Sequence, residues 1–296
     1  MKKQSWLVIE GEAKISKGEL KFTAPKEAVD LDRDRWPLSV LRSNIYFSSG
    51  EITCLVRIKK KGDIFHAYLG ESSIGPLYVG LNFKHHAYGI AAVTQSGPEY
   101  LSVSGKGIHP MTNEWIELRI KYIGSHLELF VNGISVAETN IKTQREQLLF
   151  RLRGAGEVTV KNIEFLDLNP QAFVVMQFSD EYNALYTDVI KPACEQYNYE
   201  VVRADDMYTT GLIIEDITTS IRNSALVIAD ITPNNPNVYY EVGYAHGIGK
   251  PTILLSDKNR EKLPFDISGF RLLFYNNTIG GKASVEETLK KHLESI

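Results

Sequence analysis

The sequence predicts two folds in succession: an antiparallel β-sandwich over residues 1–167 and an α/β doubly wound parallel sheet over residues 171–296. In the first part, short runs of alternating apolar and polar residues are separated by turn residues, which is typical of a sandwich. In the second part, continuous apolar runs alternate with helix-length segments, which predicts βαβ crossovers and a sheet covered on both faces. A proline at position 170 interrupts the chain between them.

The composition is that of an ordinary globular protein, with 43% hydrophobic and 23% charged residues. No run of about 18 apolar residues is present, and the first residues lack the apolar stretch of a signal peptide. We therefore expect a cytoplasmic protein that does not contact a membrane. Cys54 and Cys194 fall in different predicted domains, so a disulfide framework is not expected.

Charge is slightly uneven along the chain. The first 170 residues contain 22 Lys and Arg against 19 Asp and Glu, and the remainder contain 11 against 17. Neither part has the strong basic excess that binds phosphate backbones, so a nucleic-acid partner is not expected. A small nucleotide remains open as a ligand, because backbone amides can hold its phosphate.

Seven runs rich in Val, Ile, Tyr and Phe predict the strands of the sandwich. They are GEITCLVRIKK (50–60), DIFHAYLG (63–70), PLYVGLNF (76–83), AYGIAAVTQ (87–95), EWIELRIKYIG (114–124), HLELFVNGISVAE (126–138) and GEVTVKNIEFL (156–166). Asn132–Gly133 inside the sixth run is a strong signal for a two-residue hairpin turn, since both residues tolerate positive φ.

Two motifs in this part have competing interpretations. The alternating aspartates of VDLDRDRWP (29–37) are compatible with calcium, but interleaved arginines and the lack of a glycine turn favour a solvated loop. His85–His86 could bind zinc or a sugar. Because no further Cys or His residues cluster with them, an exposed strand end is favoured.

The stretch WIELRIKYIGSHLELFVNGISVA (115–137) is a Trp-led strand followed by a strand that ends in a V-N-G turn. It resembles the paired strands of laminin-G-like and concanavalin-like jelly rolls. That family often binds sugars, so the resemblance implies a jelly roll whose ligand is a glycan or a protein.

Strands and helices alternate in the second part. The predicted strands span 173–178, 200–205, 225–231, 251–257 and 271–277, and the predicted helices span 180–198, 211–224, 237–249 and 282–296.

Loops that follow the strands of a doubly wound sheet gather at one rim, where such sheets bind ligands. Glu241 and Asp216 lie on early turns of their predicted helices at this rim. Two carboxylates beside a cleft suit cleavage of a glycosidic bond, because one can stabilise the anomeric centre while the other handles a proton. The residues predicted to bind the substrate are Gln177, Phe178, Ser179, Asp206, Gly211, Asp230, Asn235 and Asn237.

Structural roles compete with function at several of these positions. Asp216 is equally explained as a solvated helix residue, and Asn235-Pro236-Asn237 as a turn with a helix N-cap. Glu241 differs, because YYEVGYAHG (239–247) surrounds it with apolar and small residues. A carboxylate in that setting is expected to be partly desolvated, with altered acidity, which favours a function.

Four segments cover nearly the whole second part: FVVMQFSDEYNALY (173–186), RADDMYTTGLIIEDITTSI (203–221), LVIADITPNNPNVYYEVGYAHGIGKPTILL (226–255) and LPFDISGFRLLFY (263–275). Together they resemble the nucleoside 2-deoxyribosyltransferase-like superfamily, which is related to TIR-like domains. The resemblance implies a flavodoxin-like sheet, with Glu241 as the nucleophile that takes the ribosyl C1′ carbon and Asp216 as its assistant. It also implies that residues 176–180 contact base and sugar.

The chain departs from the transferases just before the glutamate. They have an aspartate there, whereas this chain has the asparagines of PNNPN (233–237). The asparagine version resembles the hydrolase-like and TIR-like branches, which cleave N-glycosidic bonds in nucleotides or NAD.

The sequence therefore predicts an N-glycosidase acting on a nucleoside monophosphate or on NAD, with NAD as a substrate and not as a cofactor. No metal or other cofactor is expected. The alternatives are a non-catalytic nucleotide-sensing module and a nucleoside deoxyribosyltransferase. By analogy of architecture with TIR-like proteins, the chain is also expected to be a homo-oligomer and a bacterial antiviral defence effector.

Overall fold

A computed structural model describes residues 4–30, 35–47, 49–144, 146–166, 170–197, 199–204, 213–260, 267 and 269–294. The chain divides into two compact units, Met1–Tyr122 with His126–Leu168, and Ile123–Ser125 with Asn169–Ile296. None of the helices within the described ranges is both long enough and apolar enough to span a bilayer.

The first unit is an antiparallel sandwich of two seven-stranded sheets. Its strands are β1 (Trp6–Glu10), β2 (Lys14–Ser16), β3 (Glu19–Thr23), β4 (Leu38–Phe47), β5 (Gly50–Ile58), β6 (Ile64–Ser72), β7 (Gly75–Phe83), β8 (His86–Thr94), β9 (Gly97–Lys106), β10 (Ile116–Ile123), β11 (His126–Val131), β12 (Ile134–Asn140), β13 (Glu146–Arg153) and β14 (Glu157–Leu166). One sheet has the order β1-β4-β13-β6-β7-β8-β9, and the other has the order β12-β11-β10-β5-β14-β3-β2.

Alternation along the strands builds the core of the sandwich. In β5, Ile52, Cys54 and Val56 are buried while the residues between them are partly exposed. Their apolar side chains meet the inner face of the other sheet, where Phe65 and Phe150 pack edge to face with ring centroids 4.9 Å apart. This period of two is the pattern from which the sandwich was predicted.

The predicted hairpin is confirmed. Asn132 and Gly133 connect β11 to β12 with φ values of 49° and 78°, which suit the tight turn of an antiparallel pair. Strands β1 to β4, β9 and β13 were not among the seven predicted runs. The two edge strands β1 and β2 have no buried residue, so the alternation that reveals a strand in sequence is missing there.

The second unit contains a five-stranded parallel sheet with the order β16-β15-β17-β18-β19. Its strands are β15 (Gln171–Val175), β16 (Glu200–Arg203), β17 (Leu226–Asp230), β18 (Thr252–Asp257) and β19 (Leu272–Tyr275), and its helices are α1 (Asp180–Leu185), α2 (Lys191–Gln196), α3 (Ile213–Asn223), α4 (Pro236–Gly247) and α5 (Ile279–Glu294). The strand order reverses between β15 and β17, because β16 lies on one side of β15 and all later strands lie on the other. Such a reversal leaves a crevice beyond the strand ends.

Helices cover both faces of this sheet, as its continuous apolar strands predict. Val174 and Ile228 pack with α1, α2 and α5 on one face, whereas Val175 and Ala229 pack with α3 and α4 on the other. In β15 and β17, neighbouring residues along the strand are therefore buried on opposite faces, and these strands show no alternation in sequence.

The predicted helical segment over 180–198 is confirmed for residues 180–196, but it contains a π-helical turn that the sequence did not predict. It consists of α1, a π-helical turn (Tyr186–Ile190) and α2. Pro192 has no N–H to donate four residues back, and the N–H of Lys191 donates to the carbonyl of Tyr186, five residues back. The wider turn accommodates the proline without ending the helical path.

Candidate active site

The loops after β15 and β17, residues 176–179 and 231–235, begin where the strand order reverses, and we call these two loops the rim. The two strands pair in parallel, with Val175 beside Ala229, so both loops leave the sheet at neighbouring points. The start of α4 follows the second loop. Sequence order and strand order thus bring residues 177–179 to the same edge as Glu241.

Helix α4 is fixed at its start by Asn235. This residue is the N-cap, and its side-chain oxygen accepts a hydrogen bond from the backbone N–H of Asn237 at 3.0 Å. Pro236 occupies the first turn, where a missing N–H has no consequence. A defined cap sets the rotation of the helix, and therefore which of its side chains face the sheet.

Glu241 lies on the inward face of α4. It shares the buried stripe with Val238, Val242 and Ala245, and only 9% of its surface is exposed. In the part of the chain that the structure describes, no hydrogen bond or salt bridge reaches its carboxylate. Burial raises the pKa of this carboxyl from its ordinary value of 4.5 to about 7, because the charged form loses hydration.

Asp216 lies in the first turn of α3 and is half-buried. Helices α3 and α4 contact each other on the same face of the sheet, so both carboxylates come from neighbouring elements. Asp206 and Gly211 lie outside the described residues, and their predicted contacts with the substrate stay predictions.

Asp230 requires a correction, because it is fully buried below the rim and cannot touch a substrate there. One carboxylate oxygen accepts from the Thr232 N–H at 3.0 Å, and the other accepts from the Tyr275 hydroxyl at 2.7 Å. Burial raises the pKa of Asp230 to about 7, and these two bonds oppose that rise. The physical reason for the error is the partner in β19, which the local sequence does not reveal.

The other predicted contacts differ in how far they face solvent. Gln177 and Ser179 are half-buried, whereas Phe178 is 49% exposed. Asn235 uses its side-chain oxygen as the helix cap, and Asn237 is exposed on the first turn of α4. The structure thus supports the capping interpretation of Asn235, and the contacts of the other residues with a substrate stay predictions.

Arg203, at the end of β16, was missed from the sequence. It is buried, and its guanidinium lies over the rings of Phe178 and Tyr186 at 5.3 and 4.2 Å from their centroids. It also donates to the side-chain oxygen of Asn183 at 2.9 Å. The sequence does contain a signal, since Arg203 is a basic residue that follows two valines at the end of β16. From this position its side chain reaches Phe178 of the rim.

Arg260, after β18, was also missed. Its guanidinium donates to the carbonyl of Ile231, to the side-chain oxygen of Asn234 and to the hydroxyl of Tyr239. It therefore ties the loop after β17 to the first turn of α4. Nothing in the sequence around Arg260 indicates this role, because its partners precede it by 21 to 29 residues.

The sandwich has a second candidate site on the outer face of one sheet. His66 and Tyr68 alternate in β6 with core residues, so they point away from the core. Their rings belong to a connected group that we call the aromatic face: His66, Tyr68, Tyr78, Phe83 and Tyr100. A cavity of about 240 Å³ adjoins it, lined by Arg42, Tyr46, Tyr68, Glu146, Gln147 and Leu149.

Among the remaining sequence motifs of the sandwich, His86 neighbours the aromatic face, since its ring centroid lies 6.1 Å from that of Tyr100. His85 is exposed and His86 is half-buried at the start of β8. Residues 31–34 of the acidic loop lie outside the described ranges. Within those ranges, no three His, Cys, Asp or Glu side chains gather as a metal site requires.

No protein-family model matches the chain. A segment of 60 residues is 43% identical to chloroplastic NAD(P)H-quinone oxidoreductase subunit 3 of Oenothera argillicola and 40% identical to that of Acorus calamus. The match covers 20% of this chain and 46% of each relative. The chain thus spans less than half the length of these curated relatives.

Three solved structures illustrate its neighbours in backbone shape. A carbohydrate binding module from Bacillus subtilis has a TM-score of 0.40 and 10% identity, over 53% of this chain and 92% of that one. A legume lectin-like domain from Entamoeba histolytica has a TM-score of 0.38 and 14% identity, over 56% and 90%. A CMP N-glycosidase from Clostridium botulinum has a TM-score of 0.35 and 19% identity, over 41% and 98%.

Proposed function

We propose that the second unit is an N-glycosidase that cleaves the bond between base and sugar in a nucleotide, with Glu241 as the nucleophile. The observation that supports this most is the carboxylate of Glu241, buried on the inward face of α4 without a described partner. A structural carboxylate at such burial is normally paired, since an isolated charge there opposes folding. A strongly shifted acid beside a crevice is a candidate for chemistry.

The reaction follows from the two carboxyl groups. The ionised carboxylate of Glu241 attacks C1′, and the base leaves with the electron pair of the glycosidic bond. Asp216 orients the sugar or supplies a proton to the departing base. Water then attacks C1′, the ester bond to Glu241 breaks, and the free sugar phosphate leaves.

The remaining contacts of the substrate are proposed as the sequence predicts them. Gln177, Phe178 and Ser179 take the base and ribose, and Asn237 takes a hydroxyl through its amide. Gly211 and the amides at the start of α3 receive the phosphate. NAD belongs to the same substrate class, since it contains the same type of bond between a base and ribose.

The test is release of free base from a panel of nucleoside monophosphates and NAD, followed by chromatography. The protein should release base from at least one of them, and Glu241→Gln should lower the rate by at least about a thousandfold, because the nucleophile is lost. Glu195→Gln is the matched control, since Glu195 is exposed on α2 away from the rim. Undiminished turnover in Glu241→Gln would refute the assignment.

We also infer that the sandwich binds a glycan across the aromatic face. The outer surface of a sandwich sheet is normally polar, whereas here connected rings lie beside the charged side chains of Arg42, Arg151 and Glu146. Rings that offer an apolar surface next to polar groups suit sugars, which present both C–H faces and hydroxyls.

A glycan array with the intact protein tests this second proposal. The substitutions Tyr78→Ala and Tyr100→Ala should each abolish binding to every glycan on the array that the unsubstituted protein binds. Trp115→Ala is the control, because Trp115 packs against Arg57 of the other sheet. Binding that survives both tyrosine substitutions contradicts the assignment of this face.

A further inference from the structure

We propose that Arg203 is a positioning residue that holds Phe178 as a rigid stacking platform, so that the site selects substrates by a flat aromatic base. The inference rests on the proposed function, and it identifies the base as the part of the substrate that determines binding selectivity. Neither the sequence nor any similarity to other proteins assigns a role to Arg203.

Phe178 and Arg203 differ strongly in their exposure to solvent. Phe178 is 49% exposed, whereas Arg203 is only 7% exposed. The guanidinium lies over the Phe178 ring, 5.3 Å from its centroid, and therefore on the protein side of the ring. This distance is within the range over which a cation is attracted to the face of an aromatic ring.

Arg203 is itself held by contacts with other residues. Its guanidinium also lies over Tyr186, 4.2 Å from the ring centroid, and it donates to Asn183 at 2.9 Å. Tyr186 is buried in the core of the unit. The planar cation is thus fixed between two rings, and this arrangement suits arginine better than lysine.

A ring that is held in place at the rim provides a preformed surface for a ligand. An exposed phenylalanine that moves freely must lose that freedom when a ligand stacks on it, and this loss weakens binding. A ring that is already fixed avoids the loss. Phe178 follows β15 at the strand reversal, next to the loop that leads to Glu241, so a base stacked on it lies on the same rim as the nucleophile.

The platform therefore interacts with the base and not with the sugar phosphate. Stacking of a base on an aromatic side chain strengthens binding by about fivefold to a hundredfold. Loss of the support from Arg203 should remove only part of this gain in affinity, so binding should weaken by about twofold to tenfold. Ribose 5-phosphate has no base, so its affinity should not depend on either residue.

The experiment measures affinities by calorimetry in the full chain with Glu241→Gln, which prevents turnover. The probes are CMP, AMP and ribose 5-phosphate. Adding Arg203→Met should weaken binding of the better nucleotide by about twofold to tenfold and leave ribose 5-phosphate unchanged. Phe178→Leu should weaken the same nucleotide more strongly, and the double variant should bind no worse than Phe178→Leu alone.

Arg222→Met is the matched control, since Arg222 is exposed near the end of α3, and it should change no affinity. Arg203→Lys is the milder variant, with a smaller loss expected because a lysine cannot stack on both rings. Equal weakening of nucleotide and ribose 5-phosphate by Arg203→Met or Arg203→Lys would overturn the inference, as would no weakening at all. The proposed function fails separately, if the wild-type protein releases no base from any nucleotide.

Discussion

Glu241 occupies a position at which an ionised carboxyl group is unfavourable. It is buried among the apolar residues of α4, and burial raises its pKa to about 7. Most residues at such a position are apolar or paired. An ionised Glu241 therefore lowers the stability of the fold at neutral pH. Active sites often contain residues that reduce stability in this way, because activity requires them.

Glu241→Gln is expected to stabilise the protein at neutral pH. Because the pKa in the folded state lies above the ordinary 4.5, stability falls as the pH rises from that value through about 7. The substitution should raise the free energy of unfolding by up to about 3 kcal/mol near pH 8, and by little near pH 4. Urea unfolding at both pH values checks this, and equal effects at both would contradict it.

Base release should also depend on the ionisation of Glu241. In the proposed reaction Glu241 must be charged, so the rate should rise with pH and level off above about 7. The measurement is kcat/KM for the best nucleotide across this range. A rate that declines as the pH increases through 7 would assign Glu241 the role of an acid, not that of a nucleophile.

At the scale of elements, the loop between β17 and α4 is fixed from three sides. Asp230 accepts from Thr232 within the loop, Tyr275 donates to Asp230 from β19, and Arg260 binds the loop from the segment after β18. The Tyr275 bond passes across β18, so strands that do not pair with each other are connected. This loop precedes α4 and thereby determines where Glu241 stands.

Tyr275→Phe is expected to destabilise the protein by about 1–3 kcal/mol, because it removes a buried hydrogen bond to a carboxylate. The pKa of Asp230 should rise further, since the Tyr275 bond lowers it. Tyr197→Phe is the control, because Tyr197 makes a similar 2.7 Å bond to Glu294 at an exposed position. Thermal unfolding of both variants checks the difference, and equal effects would show that the buried bond has no special role.

At the scale of the whole molecule, the two units have separate cores. The buried residues that form the core of the sandwich fall between Leu20 and Val160 along the chain. The two apolar clusters of the parallel sheet consist of residues from Ala172 onwards. Each unit therefore has an apolar interior of its own, as independently folding domains do.

Calorimetry should show two unfolding transitions, because each core can melt separately. Glu241→Gln should raise the midpoint of one transition at neutral pH. Ile120→Ala, which truncates a fully buried side chain of the sandwich, should lower the other by several degrees. A single transition that both substitutions move would indicate that the units unfold together.

Local patterns predicted much of this structure. The alternating runs indicated the sandwich strands, Asn132–Gly133 indicated a hairpin, and the small and apolar neighbours of Glu241 indicated its burial. All three depend on residues close together in sequence.

The parts that could not be predicted depend on long-range contacts. The partner of Asp230 lies 45 residues further along the chain, and Arg203 reaches Phe178 from a different strand. The π-helical turn inside the helical segment 180–196 was not predicted, because hydrophobic periodicity does not register the missing N–H of Pro192.

The bond between Tyr275 and Asp230 has a consequence for the newly made protein. Strand β19 is the last strand of its sheet to leave the ribosome, and it supplies the hydroxyl that secures the loop before α4. A nascent chain that has emerged only as far as β18 has Glu241 but lacks this anchor. The proposed activity should therefore appear late in synthesis, after the remainder of the sheet has formed.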